Sequence, residues 1–295
     1  MNSPILFALL SNLSFSIATL YFTEYSRKIS AEWMNFFKAL VAWIGFATVC
    51  MILGIWTPIA MKSLVALCLS GAFGLFLGDI LLLKAFSELG PGRVLMIWGF
   101  QPLVLGIAAF YLFDQSFDLG KLTAVIFLIG CVFTFALESY KAKGHWEIAG
   151  IVFAFLGISL DAAGVLLTRL AFSYSEEVSP FQVNFIRCSM TVVCFLIMRL
   201  IPWFRFRLFH AFTQQSRRDK VRLIFASFLG TFVSLSFYLF AIRDGHLSSI
   251  SALAGTTPVF AGLFEILAGR RKLNAYWIVG LSFFLVGFFI LTFTG

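Results

Sequence analysis

The sequence predicts an all-α polytopic membrane protein, and three observations support that fold class. Of the 295 residues, 60% are hydrophobic and only 12% are charged, whereas soluble domains carry about 25% charged residues. The apolar residues form continuous runs of about the 20 residues that a helix needs to cross a bilayer. Lysine and arginine number 22 against 14 acidic residues, and most of them fall between the runs. This composition argues against a water-soluble enzyme and against a nucleic-acid-binding surface.

Ten runs are long and apolar enough to span a membrane. They cover residues 4–24, 32–53, 63–86, 92–113, 119–137, 146–172, 180–201, 221–242, 247–268 and 275–293. Because backbone polar groups in lipid must bond within their own segment, we expect each run to be a helix. The runs are too long and continuous for barrel strands. The first lacks a basic leader and reads as a span rather than a signal peptide.

The connections between the runs are short and carry turn residues and charges. Examples are Glu24 to Ser30, Lys141 to His145 and Arg270 to Asn274, and only the segment from Pro202 to Lys220 is longer. None of them is long enough for a separate domain. The chain is therefore expected to form one integral membrane unit.

The chain also repeats itself. At a displacement of 149 residues, spans one and two fall on spans six and seven, so that Asn35-x-x-Lys38 matches Asn184-x-x-Arg187. At a displacement of 156 residues, spans three to five fall on eight to ten, and Pro102 matches Pro258. A repeat of five helices is odd, so the second copy must be inverted relative to the first, as in many transporters. We expect two five-helix repeats, at 1–145 and 146–295.

Two stretches resemble a known family. Leu82 to Gly106 and Tyr238 to Gly262 are similar to the third-to-fourth-span segments of EamA-type transporters of the drug/metabolite transporter superfamily. Lys38 and Arg187 lie where that family commonly carries an arginine. The resemblance implies a secondary carrier for small organic solutes, such as amino acids or related metabolites. The family's acidic residue after the fourth span is kept as Asp114, but its ninth-span counterpart is Arg270.

The orientation in the membrane has two readings. If the connections alternate sides, fifteen basic residues lie on one side and three on the other. The positive-inside rule puts the fifteen in the cytoplasm and both termini outside, and we favour that reading. The family resemblance implies the opposite, with both termini in the cytoplasm.

Ionisable groups inside spans are costly and indicate function. The central ones are Lys38, Asp79, Asp161 and Arg187, and Arg169 and Glu265 are less central. The candidate substrate-binding residues are Asn12, Lys38, Asp79, Trp98, Gln101, Asp161, Arg187 and Thr257. Lys38 and Arg187 either bind a carboxylate or phosphate, or neutralise the two aspartates and pin helices. Asp79 and Asp161 are the candidates for proton coupling, and Trp98 either lines a cavity or packs in the core.

Pro102 and Pro258, near the starts of the fourth and ninth spans, are candidate gating residues because proline bends a helix. No catalytic or nucleotide-binding motif is present, and the five cysteines lack metal-site spacing, so we expect no enzyme activity, no metal and no cofactor. The sequence therefore favours a secondary transporter of the cytoplasmic (inner) membrane, monomeric or homodimeric. Its partners would be a small-molecule substrate and the bilayer, with no nucleic acid. The alternative is a lipid-handling or scaffolding protein that carries no solute.

Overall fold

The computed structural model describes residues 3–101, 104, 119–200, 210–244, 256–269 and 273–293. Every regular element in these ranges is helical, which agrees with the predicted class. In chain order the helices are α1 (Ser3–Lys28), α2 (Ala31–Leu53), α3 (Met61–Ser70), α4 (Asp79–Leu89), α5 (Pro91–Ile97), α6 (Leu119–Lys143), α7 (Ile148–Tyr174), α8 (Pro180–Leu200), α9 (His210–Thr213), α10 (Arg217–Ser227), α11 (Ser234–Asp244), α12 (Thr256–Leu267) and α13 (Ala275–Phe293). Two π-helical segments, π1 (Gly71–Gly78) and π2 (Phe228–Val233), join α3 to α4 and α10 to α11.

Within the described ranges, seven helices are long and apolar enough to cross a membrane, and two shorter apolar helices lie at Thr256–Leu267 and Ala275–Ile290. The α3–π1–α4 and α10–π2–α11 segments each count as one of the seven. Large apolar side chains cover the exterior: Ile52, Ile126 and Leu200 are 76%, 69% and 80% exposed. A surface of this kind is stable against lipid and unfavourable in water. The chain is therefore a multi-pass helical membrane protein.

Local sequence explains where α2 begins and ends. The Ser30 side chain accepts a hydrogen bond from the backbone N–H of Trp33, and Glu32 places a negative charge in the first turn. Both stabilise a helix N-terminus. At the other end Gly54 adopts a left-handed conformation with φ of 60°, which glycine reaches without steric cost. The boundaries observed for α2 lie within one residue of the predicted span.

Neighbouring helices in the bundle run antiparallel and approach closely through glycines. Gly74 faces Gly164 and Gly78 faces Gly157, so π1 and α7 pass each other in opposite chain directions. A Cβ on Gly164 would lie 3.0 Å from the Cα atom of Gly74, which leaves no room for a side chain. Small residues bring helices close in a membrane because van der Waals packing there replaces the hydrophobic effect.

The same pattern recurs on the other side of the bundle. Ser11 of α1 bonds Ser234 of α11, and Tyr25 at the end of α1 bonds Asp219 at the start of α10. Residue numbers rise from 11 to 25 along α1 while they fall from 234 to 219 in its neighbour, so these segments are also antiparallel. The α6 and α13 helices pack together in the same antiparallel way, with Phe135 against Gly280 and Phe127 against Gly287.

The connections gather at two ends of the bundle. At one, which we call the basic end, Asp219 accepts from Lys28 at 2.9 Å, Glu32 pairs with Lys84 at 2.8 Å and Glu138 pairs with Arg93 at 2.8 Å. At the opposite end, Gln182 bonds the backbone and side chain of Thr57. Helix directions therefore alternate along the described chain.

A large apolar core closes the basic end. Its members include Tyr25, Trp33, Met34, Phe86 and Trp277, of which the first four are 0–2% exposed. All five lie next to basic-end connections. The core extends inward as far as Leu95 and Phe288, which also line the cavity described below. In the described part of the chain, this core lies between the basic-end connections and the cavity.

Candidate functional site

A cavity of about 130 Å³ lies in the interior of the bundle. At about 10–15 Å³ for each water, it has room for several waters or a small organic molecule. Its described lining comes from nearly every spanning segment: Ser11, Asn12, Phe15, Lys38, Leu75, Asp79, Leu95, Trp98, Gly99, Gln101, Asp161, Val165, Gly230, Thr231, Ser234, Leu235, Tyr238, Thr257 and Phe288. Seven of the eight predicted substrate-binding residues are among them. The eighth, Arg187, is not.

Lys38 and Asp79 form an ion pair in the cavity wall. Nζ of Lys38 lies 2.5 Å from Oδ2 of Asp79, and the two side chains are 6% and 14% exposed. The ammonium also lies 5.7 Å from the centre of the Phe22 ring. A buried ion that loses its partner is very costly. The pair therefore holds α2 against the start of α4, and the charge of Lys38 is neutralised by Asp79.

Asp161 is held by a chain of directed hydrogen bonds. The indole N–H of Trp98 donates to Oε1 of Gln101 at 2.9 Å, and Nε2 of Gln101 donates to Oδ2 of Asp161 at 2.7 Å. Because an indole nitrogen can only donate, the amide oxygen of Gln101 must face Trp98 and its NH₂ must face Asp161. Trp98 is itself steadied by an edge-on contact with Phe15, with ring centres 5.7 Å apart.

Arg187 lies inside the wall rather than in the cavity. Its Nε donates to Oγ of Ser70 at 2.9 Å, its Nη1 donates to Oδ1 of Asn184 at 3.3 Å, and it is 2% exposed. A methyl group on Gly74 would lie 3.9 Å from both Nη2 of Arg187 and Oδ1 of Asp161. Arg187 thus lies next to Gly74, close to Asp161 but outside the described lining of the cavity. The sequence placed it in a span correctly but could not show which way it points.

Asparagines at matched repeat positions bond carbonyls in π1 and just after π2. Nδ2 of Asn35 donates to the carbonyls of Leu75 and Phe76 at 2.9 and 3.1 Å, and Nδ2 of Asn184 donates to the carbonyl of Leu235 at 3.1 Å. A π-helix shifts the hydrogen-bond ladder and leaves carbonyls without their regular partner. The asparagines supply donors in a region that has no bulk water.

The first helix and α12 meet across the cavity. Nδ2 of Asn12 donates to the Thr256 hydroxyl at 3.2 Å, and the Ser16 hydroxyl donates to the carbonyl of Thr257 at 3.1 Å. Under the repeat displacements, Asn12 corresponds to Asp161 and Thr257 to Gln101. The two halves therefore place polar groups at corresponding positions, but only one carries a charge.

Thr231 is a site residue that the sequence analysis missed. It lies in π2, lines the cavity and is 4% exposed. Its hydroxyl has no hydrogen-bond partner among the described residues. Its repeat counterpart is the apolar Leu75, so the repeat gave no signal at this position. A buried hydroxyl with an unused donor and acceptor in the wall of a cavity is suited to bind a ligand.

The remaining predicted residues lie as follows. Pro258 is buried in α12, next to Thr257 of the cavity lining. Pro102 lies outside the described residues. Arg169 is exposed on α7 and Glu265 is buried near Gly90, away from the cavity lining. In the described ranges, no three His, Cys, Asp or Glu side chains are grouped so as to hold a metal.

These features define a polytopic membrane protein with a polar cavity inside its helix bundle. Comparison with known proteins identifies the class: the chain belongs to the EamA-like transporter family, whose sequence model matches residues 2–137 and again 148–293.

Two individual relatives share about a fifth of their aligned residues with this chain. A WAT1-related chloroplastic protein of Arabidopsis thaliana is 22% identical over 243 residues, covering 81% of this chain and 55% of the relative. An uncharacterized transporter of Synechocystis is 21% identical over 216 residues, covering 71% of this chain and 66% of the relative. The chain thus spans between half and two thirds of their lengths. A solved crystal structure has the same fold, with a TM-score of 0.69 at 11% identity, and covers 100% of this chain and 98% of that one.

The Lys38–Asp79 pair predicts a strongly non-additive mutant cycle. Lys38→Met alone leaves Asp79 buried without its counter-ion, which should lower the free energy of unfolding by about 3–5 kcal/mol. Lys38→Met combined with Asp79→Asn removes both charges and should recover most of that loss. Unfolding in detergent micelles measures both. The half-exposed pair of Lys84 and Glu32 serves as the control, and its coupling should stay below about 1 kcal/mol. The assigned pairing would be contradicted if the double variant lost as much free energy of unfolding as the sum of the losses in Lys38→Met and Asp79→Asn alone.

Proposed function

We propose that this chain is a secondary active transporter that moves a small organic metabolite across the cytoplasmic membrane by alternating access. The observation that carries the proposal is the polar cavity in the interior of the bundle, lined by residues from both halves of the chain. Transporter sites of this architecture lie near the midplane, between the repeats. Family membership supports the same class. The substrate is a small organic solute, either an amino acid or a related compound, and the proposal assigns no catalytic residue.

We further propose that the ten predicted spans form two inverted five-helix repeats, at 1–145 and 146–295. The family model matches each half separately, which supports two copies of one unit. The π segments also correspond, since residues 72–77 displaced by 156 become 228–233. Inversion is supported by the antiparallel packing of corresponding helices, such as α6 with α13, where Phe127 contacts its own counterpart Phe283.

In this proposal the substrate contacts Asn12, Lys38, Asp79, Trp98, Gln101, Asp161 and Thr257, while Arg187 lies outside the described lining, close to Asp161. Asp79 and Asp161 are the proton-coupling candidates, with substrate exchange as the alternative driving reaction. The two carboxylates differ in their surroundings, because Asp79 is paired with an ammonium whereas Asp161 accepts a hydrogen bond from the neutral amide of Gln101. We therefore assign the larger share of any proton coupling to Asp161.

Alternating access requires the seal at the basic end to open. The seal combines the apolar core around Trp33 and Phe86 with the contacts of Asp219 to Tyr25 and Lys28. These contacts join α1 in the first half to α10 in the second. Pro102 and Pro258 are the proposed gating residues, since the residues before them in the sequence, Gln101 and Thr257, line the cavity at corresponding positions of the two halves.

We propose that the basic end faces the cytoplasm. The positive-inside rule, applied to the distribution of lysine and arginine in this chain, puts the side with more basic residues there. The opposite orientation is the one that the family resemblance implies. Single cysteines at Ser3 and Gln214, in a variant lacking the native cysteines, distinguish the two. With an impermeant thiol reagent on intact cells, Ser3→Cys should react and Gln214→Cys should be protected. The reverse pattern would reject this orientation.

The alternative function is a lipid-handling or scaffolding protein without solute flux. Purified protein in proteoliposomes, given an isotope-labelled metabolite extract and read by mass spectrometry, separates the two. Transport predicts that at least one solute accumulates above the level of protein-free liposomes, and that a pH gradient changes its rate if protons are coupled. No accumulation of any solute would favour the alternative.

The same assay tests the assigned carboxylate. Asp161→Asn should reduce pH-driven accumulation by at least about tenfold, because Asn can still accept from Gln101 but cannot take up a proton. Glu32→Gln is the matched control: it makes the same carboxylate-to-amide change in the partly exposed pair with Lys84, outside the described cavity lining, and should leave flux unchanged. Equal losses in both variants, or none in Asp161→Asn, would contradict the assignment.

A further inference from the structure

The ionisable groups of the cavity are unevenly balanced. Besides the phenol of Tyr238, the described lining contains Lys38, Asp79 and Asp161. Lys38 and Asp79 neutralise each other at 2.5 Å. The remaining charge is the carboxylate of Asp161, which forms no ion pair within 4.0 Å in the described part of the chain. In a protein whose formal net charge is +8, the cavity lining is thus negative.

The two buried cations are directed into the protein. Lys38 is committed to Asp79, and Arg187 directs Nε and Nη1 toward Ser70 and Asn184. Arg187 is 2% exposed and lies outside the described lining of the cavity. A carboxylate or phosphate entering the cavity would meet Asp161 without an available cation among these residues. Like charges at close range in a low-dielectric site repel strongly.

A ligand with N–H donors would instead find acceptors. Asp161 offers carboxylate oxygen, and the buried hydroxyl of Thr231 is unpartnered. Gln101 is fixed by Trp98 with its NH₂ toward Asp161, so it holds the carboxylate in place without neutralising it. Aromatic rings of Phe15, Trp98, Tyr238 and Phe288 complete the lining. Such rings pack against an apolar body and attract cations through their faces.

We propose that the cavity is a binding site for the primary ammonium group of an organic amine. The ammonium donates to Asp161 and Thr231, and its apolar body lies among the aromatic side chains. The site discriminates against acids and zwitterions, because their carboxylate has no counter-ion there. This inference rests on the proposed transport function and narrows its substrate class from amino acids and their relatives to amines without a carboxylate.

A matched ligand set tests the proposal. Phenethylamine, phenylalanine, 3-phenylpropionate and phenethyltrimethylammonium share one aromatic body and differ in charge and in N–H donors, and n-butylamine tests a smaller body. Thermal stabilisation of the full chain in nanodiscs measures binding, and uptake into proteoliposomes relative to protein-free liposomes measures flux. We expect at least one primary amine to bind at least about tenfold more tightly than phenylalanine or 3-phenylpropionate.

Two substitutions separate the contributions. Asp161→Asn should weaken amine binding by at least about tenfold, because hydrogen bonds to charged groups are the strong ones. Thr231→Val should weaken primary amines by about two- to tenfold and leave phenethyltrimethylammonium, which has no N–H, unchanged. Glu32→Gln is the control that should change nothing, and monodisperse gel filtration of each variant shows that it is folded.

The two readouts keep the proposals distinguishable. If phenylalanine or 3-phenylpropionate binds as tightly as the amines and is carried, the amine inference is overturned and transport stands. If amines bind through Asp161 but no compound is carried, the amine site stands and transport is overturned. If neither amine binds, or if Asp161→Asn binds amines as well as the unmodified chain does, the inference is wrong.

Discussion

The ion pair between Lys38 and Asp79 determines what this cavity can offer a ligand. Lys38 could pair with either Asp79 or Asp161, and each pairing would leave the other carboxylate without a counter-ion. At 2.5 Å the ammonium is committed to Asp79, and Asp161 is left to an amide. Because an isolated buried charge costs several kcal/mol, this choice is expected to be stable in the conformation described. The pair also fixes α2 against α4, so a structural contact sets the chemistry of the site.

The site further depends on helices that depart from regular α-geometry. The π1 segment ends at Gly78, just before Asp79, and π2 contains Thr231. A π segment rotates the residues that follow it relative to a continuous α-helix, and here both segments contribute cavity residues. Asn35 donates to two carbonyls of π1, and Asn184 donates to the carbonyl of Leu235, just after π2. Glycines at 74, 78, 157 and 164 bring α7 close enough for Asp161 to reach the same space.

Much of this could be predicted from the sequence, and the remainder has a physical explanation. The length of an apolar run is set by the thickness of the bilayer that it must cross. The seven long apolar helices of the described ranges therefore agree with predicted spans. Depth within a span is also readable, which is why seven of eight predicted site residues line the cavity. Direction is not: Arg187 lies at the predicted depth but bonds Ser70 and Asn184, partners that only packing brings near.

The π segments and Thr231 escaped prediction for a related reason. Helical periodicity averages over several turns, so one inserted residue leaves little trace in the pattern. The match of Asn35 with Asn184 was the available signal, because a buried amide at two corresponding positions needs carbonyls to bond. Thr231 aligns with Leu75 in the repeat. Because one residue is polar and the other apolar, the repeat did not mark this position as a site residue. Unequal positions between otherwise matched halves are where a symmetric fold can acquire a specific ligand.

The central claim is that this cavity is reached from each side of the membrane in turn. The direct measurement places a single cysteine at Thr231, in a chain lacking its native cysteines, and exposes oriented proteoliposomes to a small impermeant methanethiosulfonate from one side at a time. Gln214→Cys, exposed near the basic end, reports orientation and should react from one side only. The account predicts that Thr231→Cys reacts from both sides. Reaction from one side alone, with or without a pH gradient, would contradict it.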